Sequence, residues 1–132
     1  MIEILIGTIA SGKSSYCNKR AEQGAIIIND DAYSISDIQS AIKLGKDVVI
    51  DKALSLTSKS RKRWIGVANS FDVPVQATVF KFALPYEHAR RRYNSDNRGL
   101  DFVHWWNVAL QHSSIYEEPR LEEGFDLIVY NH

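Results

Sequence analysis

A chain of 132 residues and 15.0 kDa holds one domain, residues 1–132, with little room for a second. Hydrophobic residues make up 45%, enough for a core, and 16 basic residues balance 16 acidic ones, so the chain is no bulk polycation and any nucleic-acid contact needs a local patch. The single cysteine, Cys17, excludes a disulfide framework and a zinc site built on several thiolates.

Ile2–Ile6 is an apolar run that stops at Gly7 and reads as a buried strand. A glycine-bounded loop, Gly7–Gly12, leads into helix-compatible residues Lys13–Gln23, with Gly24 as the stop. Ala25–Ile28 is a second strand, closed by Asn29-Asp30-Asp31. Ser36–Leu44 reads as a helix with Ser36 as N-cap and Gly45 as stop. Asp47–Asp51 is a third strand, and Thr57 or Ser58 caps a helix running to about Phe71. Val75–Phe82 is a fourth strand. Pro85 opens a helix to about Tyr93, and Asn94–Asp101 breaks it. Phe102–His112 is a further helix and Phe125–Tyr130 a last strand. This alternation predicts an α/β domain with a parallel sheet and helices on both faces. The first residues lack a basic region and no apolar run is long enough to span a bilayer, so no membrane partner and a cytoplasmic location are expected.

Charge is uneven along the chain. Lys59, Arg61, Lys62, Arg63, Lys81, Arg90, Arg91, Arg92 and Arg98 face only Asp72, Glu87 and Asp96 in the same stretch. That middle segment is suited to phosphates. After it, six acids meet one base, Arg120.

Gly7-Thr8-Ile9-Ala10-Ser11-Gly12-Lys13-Ser14 matches G-x-x-x-x-G-K-[ST] between a strand and a helix. Glycines let the backbone curl so that successive N–H groups point at a phosphate, and the helix dipole adds to the attraction. Gly7, Ala10, Ser11, Gly12, Lys13, Ser14 and Ser15 are therefore the expected nucleotide-binding residues. The Lys13 ammonium is expected at the β- and γ-phosphates, and the Ser14 hydroxyl at Mg²⁺. Asp51 ends an apolar strand, the pattern of an acid that holds a Mg²⁺-bound water or orients the acceptor; a plain polar strand end is the alternative. A guanine-reading N-K-x-D segment is absent.

Four segments together carry a resemblance. They are Gly7–Ser14; Ile28-Asn29-Asp30-Asp31; Val48-Val49-Ile50-Asp51 with the basic stretch to Arg63-Trp64; and Asn94-Ser95-Asp96-Asn97-Arg98-Gly99. In this order the chain resembles the kinase domain of phage-type polynucleotide 5′-hydroxyl kinases, within the small P-loop kinases. The resemblance implies a three-layer P-loop kinase fold, with five parallel strands in the order 2-3-1-4-5 and the loop strand central. It implies ATP and Mg²⁺ as cofactors and the 5′-hydroxyl end of DNA or RNA as acceptor, as in the repair of cleaved ends. Asp30 matches the general base of that family. A carboxylate there suits a hydroxyl attacking a γ-phosphoryl group, whereas a capping acid in a polar turn is the plain alternative. Arg98 matches the lid arginine that neutralises phosphoryl charge, with Arg92 as second choice.

The chain departs from the family at one point. The usual D-D-x-R carries an arginine that grips the phosphate on the 3′ side, and here Tyr33 stands in its place. Tyr33 can hydrogen-bond a phosphate or stack on a base, and Lys59, Arg61, Lys62 or Arg63 are candidates for the missing charge. A small alcohol, a nucleoside or a nucleotide is therefore the competing acceptor, and a non-catalytic nucleotide-binding module the third reading. Of Trp105 and Trp106, adjacent on a helix, one is expected in the core and one partly exposed. Cys17 reads as a small buried residue, and the four histidines show no metal spacing.

Overall fold

Strand β1, Ile2–Ile6, is buried along its whole length and lies at the centre of a five-stranded parallel sheet. The computed structural model describes residues 1–29, 34–80, 84–96 and 98–131. The strand order is β2-β3-β1-β4-β5, with β2 at Ile26–Ile28, β3 at Val48–Ile50, β4 at Val75–Phe80 and β5 at Leu127–Asn131. In register, Ile4 of β1 stands opposite Ile50 of β3 and Ala77 of β4. This is the order expected. Lys81 and Phe82, read as the end of the fourth strand, lie outside the described residues.

Successive side chains of β1 alternate between two cores. Ile2, Ile4 and Ile6 pack on Ile38 and Ala41 of α2 (Ile35–Lys43) and on Trp64, Ile65 and Ala68 of α3 (Ser58–Ser70). Leu5 packs on the other face with Val49, Phe80 and Cys17 of α1 (Lys13–Glu22). Burial on both faces explains why these strands are continuous apolar runs rather than alternating ones. Glu3 is the exception on the Leu5 face. Its buried carboxylate accepts from the Tyr16 hydroxyl, from Thr78 Oγ1 at 2.5 Å and from Arg20 Nε at 3.1 Å, so the charge is paired where water is excluded. Two further helices, α4 (Pro85–Ser95) and α5 (Phe102–Ile115), pack on each other around Ala89, Trp105 and Ala109.

Most boundaries shift by one to three residues from the sequence reading, α5 for instance running on to Ile115, and two of the shifts have a clear physical cause. The cap of α2 is Ser34, not Ser36. Ser34 Oγ accepts the Asp37 N–H, and the Asp37 carboxylate accepts the Ser34 N–H at 2.8 Å. An ionised Asp37 in the first turn also complements the helix dipole, which favours the earlier start. Strand β5 begins at Leu127 because Asp126 ties its entry: its N–H donates to Val75 O and its carboxylate accepts the Val75 N–H. Phe125 is a buried plug before the strand. Among the described residues, no helix is long and apolar enough to cross a membrane.

Candidate active site

The loop leaves β1 at Ile6 and enters α1 at Lys13. Gly7 is sterically required, since a Cβ there would stand 2.6 Å from Ser11 Oγ and 3.0 Å from Phe80 Cβ. Gly12 takes φ 98°, which lets the chain turn into the helix. The loop is laced internally. Lys13 Nζ donates to Gly7 O at 2.8 Å, and Ser11 Oγ donates to Thr8 O at 2.8 Å.

A cavity of about 500 Å³ opens over this loop. Its lining consists of Ala10, Ser11, Gly12, Lys13, Ser14 and Ser15 from the loop and α1, faced by Arg92 and Ser95 of α4. Burial pulls the Lys13 ammonium below its usual pKa, and the negative field of Asp51 opposes that pull. Asp51 stands at the end of β3, beside β1, and its Oδ2 accepts the Cys17 thiol at 3.4 Å. Burial and then Asp51 push that thiol up to about 12, so Cys17 is a neutral donor to Asp51 rather than a nucleophile.

The sequence-derived candidates thus divide. Lys13 and Asp51 come together through the pairing of β1 with β3. Ser14 and Ser15 sit exposed in the first turn of α1, and Arg92 faces them across the cavity. Arg98 does not line the cavity. It is exposed, 5.0 Å from the centre of the Trp105 ring and 3.5 Å from Asp96. Asp30 and Tyr33, with Asp31, lie outside the described residues. Arg91 reaches Glu87 at 4.0 Å, the pairing that helix spacing suggests.

Arg61 is corrected by the structure. It is fully buried, with Nε and Nη2 donating to the two oxygens of Glu123 at 2.9 and 3.0 Å and Nη1 donating to Ser55 O and Glu117 O. It therefore supplies no charge to a ligand. Helix α3 turns it toward Ser55, Glu117 and Glu123, a tertiary placement that one-dimensional charge counting does not detect. Lys59, Lys62 and Arg63 are exposed.

Two features have no counterpart in the sequence reading. His112 of α5 stands behind the loop, where its Nδ1 accepts the Ile9 N–H at 3.3 Å. Burial, then Lys13 and His88, hold its pKa below the ordinary value, which suits a neutral acceptor. The 103 residues between the partners leave no local signal. Asp96 organises the Arg98 turn by accepting the Arg98 N–H at 3.1 Å. An aspartate two residues before the amide it binds is a recognisable local pattern.

No family model matches the chain. Among curated proteins, it is 29% identical over 136 aligned positions to the bifunctional polynucleotide phosphatase/kinase of Schizosaccharomyces pombe, an alignment covering 94% of this chain and 31% of that protein. The chain spans about a third of that relative's length. A gluconokinase from Sinorhizobium meliloti 1021 superposes with a TM-score of 0.60 at 17% identity, over 97% of this chain and 79% of the other. Kti12 of Chaetomium thermophilum, solved in complex with ADP-AlF3, gives 0.56 at 17%, over 99% and 88%. The chain has the P-loop kinase fold. Such folds place ligands at the carboxyl ends of the strands, beside the first βα loop, and that is where Lys13, Asp51 and Arg92 converge.

Proposed function

We propose that this single kinase module binds Mg·ATP over the Gly7–Ser15 loop and transfers the γ-phosphoryl group to the 5′-hydroxyl end of a DNA or RNA strand. The observation that carries the reading is the half-buried Lys13 lining a cavity that Arg92 also lines, with the Asp51 carboxylate near enough to act on its charge. The likeness to a polynucleotide phosphatase/kinase supports the acceptor class, as do the exposed Lys59, Lys62, Arg63, Arg90 and Arg91.

In this reading the loop amides and Lys13 bind the β- and γ-phosphates. The acceptor oxygen bonds to the γ-phosphorus as the bond from that phosphorus to the β,γ-bridging oxygen breaks. ADP leaves with the electron pair, and the hydroxyl proton passes to the Asp30 carboxylate. Arg92 and Arg98 neutralise charge on the transferred oxygens. Tyr33 contacts the acceptor strand.

The donor set fits Mg²⁺, which favours hard oxygen ligands and keeps several waters. Ser14 Oγ is exposed at the cavity and would ligate directly, whereas Asp51 would hold a metal-bound water. Among the described residues no three His, Cys, Asp or Glu side chains gather as a metal set, so the phosphates themselves would complete the shell. Bound there, the ion supplies charge neutralisation on the phosphates.

A second reading, a small alcohol or nucleoside acceptor, is favoured by Tyr33 in place of the phosphate-gripping arginine. The test is transfer from radiolabelled ATP to 5′-hydroxyl oligonucleotides, nucleosides and small alcohols in parallel. Labelled oligonucleotide, lost in Lys13→Ala, is the expected result. Label only on a small alcohol selects the second reading, and transfer or ATP binding that survives Lys13→Ala refutes both.

A further inference from the structure

The turn that carries Arg98 is built around one buried ring. Trp105 is 4% exposed, and the guanidinium carbons of Arg92 and Arg98 lie 4.5 and 5.0 Å from its centre. The indole N–H donates to the Asp96 carboxylate at 3.3 Å. That carboxylate is itself buried, its side chain 2% exposed, and it accepts the Arg98 N–H at 3.1 Å and the Leu100 N–H at 2.9 Å. Arg98 Nε faces it at 3.5 Å. Burial alone would raise the carboxyl's pKa, yet the amides of Arg98 and Leu100, the indole and the guanidinium hold it below the ordinary value.

One anion therefore holds the Arg98 and Leu100 amides, the indole N–H and one of two cations resting on that ring. Of the two, Arg92 lines the loop cavity, whereas neither Asp96 nor Trp105 does. Arginine side chains carry large rotamer entropy, and a phosphate that binds them freely must order them. A guanidinium already held by an aromatic face and a carboxylate has less freedom to lose.

We propose that Asp96 and Trp105 are positioning residues for the nucleotide, pre-ordering Arg92 and Arg98 beside the phosphate loop. This rests on the nucleotide-binding reading above. Trp105 serves through its N–H and its face, so its role exceeds filling the small core with Ala89 and Ala109.

The test is a thermodynamic cycle on the whole chain, read by calorimetry of Mg·ATP binding with a melting curve for each variant. Asp96→Asn keeps an acceptor oxygen and loses the charge. Trp105→Phe keeps an aromatic ring and loses the N–H. Each is expected to weaken Mg·ATP by about five- to tenfold. In a chain already carrying Arg92→Ala and Arg98→Ala, the same changes are expected to cost less than twofold, because nothing remains to be positioned. A purely structural role would cost the same in both backgrounds, and that result overturns the proposal. So does parental affinity in a folded Asp96→Asn and a folded Trp105→Phe. A parent chain that binds no Mg·ATP instead overturns the functional reading, and this inference falls with it.

Discussion

Arg61→Ala is expected to destabilise the fold while leaving the phosphate site intact. The guanidinium is wholly buried and donates four hydrogen bonds: two to the oxygens of Glu123 and one each to the carbonyls of Ser55 and Glu117. It joins the Ala53–Leu56 turn, α3 and the segment before β5. Removing it strands a carboxylate and two carbonyl oxygens. Breaking a buried ion pair from one side costs about 3–5 kcal/mol. Glu123 keeps 15% exposure and regains some water, so the lower part of that range, about 3–4 kcal/mol, applies. That is a large share of the roughly 5–15 kcal/mol that holds a domain together. With the ordinary unfolding entropy of a chain of 132 residues, about 0.28 kcal/mol/K, the melting temperature falls by about 11–14 °C. Circular-dichroism melts of Arg61→Ala, with the exposed Lys62→Ala as control at about 0.5 kcal/mol or less, measure this. A parental melting temperature for Arg61→Ala would refute the reasoning. Lost transfer in an equally stable variant would return Arg61 to the ligand site.

Asp30→Asn is expected to keep ATP binding and lose transfer by about a hundred- to ten-thousand-fold, as for other general bases, with a much smaller loss for Asp31→Asn. Single-turnover transfer at saturating Mg·ATP reads both; collapse in Asp31→Asn alone would put the base one residue later. Asp51→Asn is expected to shift the Mg²⁺ dependence of transfer to higher concentration, followed by a metal titration at fixed ATP. Stability is expected to decline as pH falls from about 6.5, because His112 and His88 both resist protonation in the fold. Burial is the main cause for each, aided by Lys13 and His88 around His112 and by Arg91 beside His88. The unfolded chain takes up those protons near the ordinary value of 6.5, so the contribution is complete above it and is lost toward the lower folded values. Melting temperatures from pH 7.5 to 5 measure the slope, and His112→Gln is expected to flatten it. The carboxylates held low at Asp37, Asp47 and Asp96 act below 3.8, outside that window.

The sequence by itself determined what short-range chemistry encodes. An apolar run stopped by Gly7, and a helix-compatible run after Gly12, place the loop between β1 and α1 without any knowledge of packing, because the glycines set its backbone locally. Strands buried on both faces betray themselves as continuous apolar runs, and Pro85 and Thr57 mark helix starts through local hydrogen bonding and fixed φ. Only the tertiary structure decided which charges are free to meet a ligand. Arg61 and Arg63 look alike in a basic run, yet one is locked to Glu123 and the other is exposed. Asp51 reaches Lys13 only through the pairing of β3 with β1, and His112 reaches Ile9 only because α5 folds back behind the loop. Coulomb energy and desolvation depend on distance and on water, and a linear sequence specifies neither until the chain has folded.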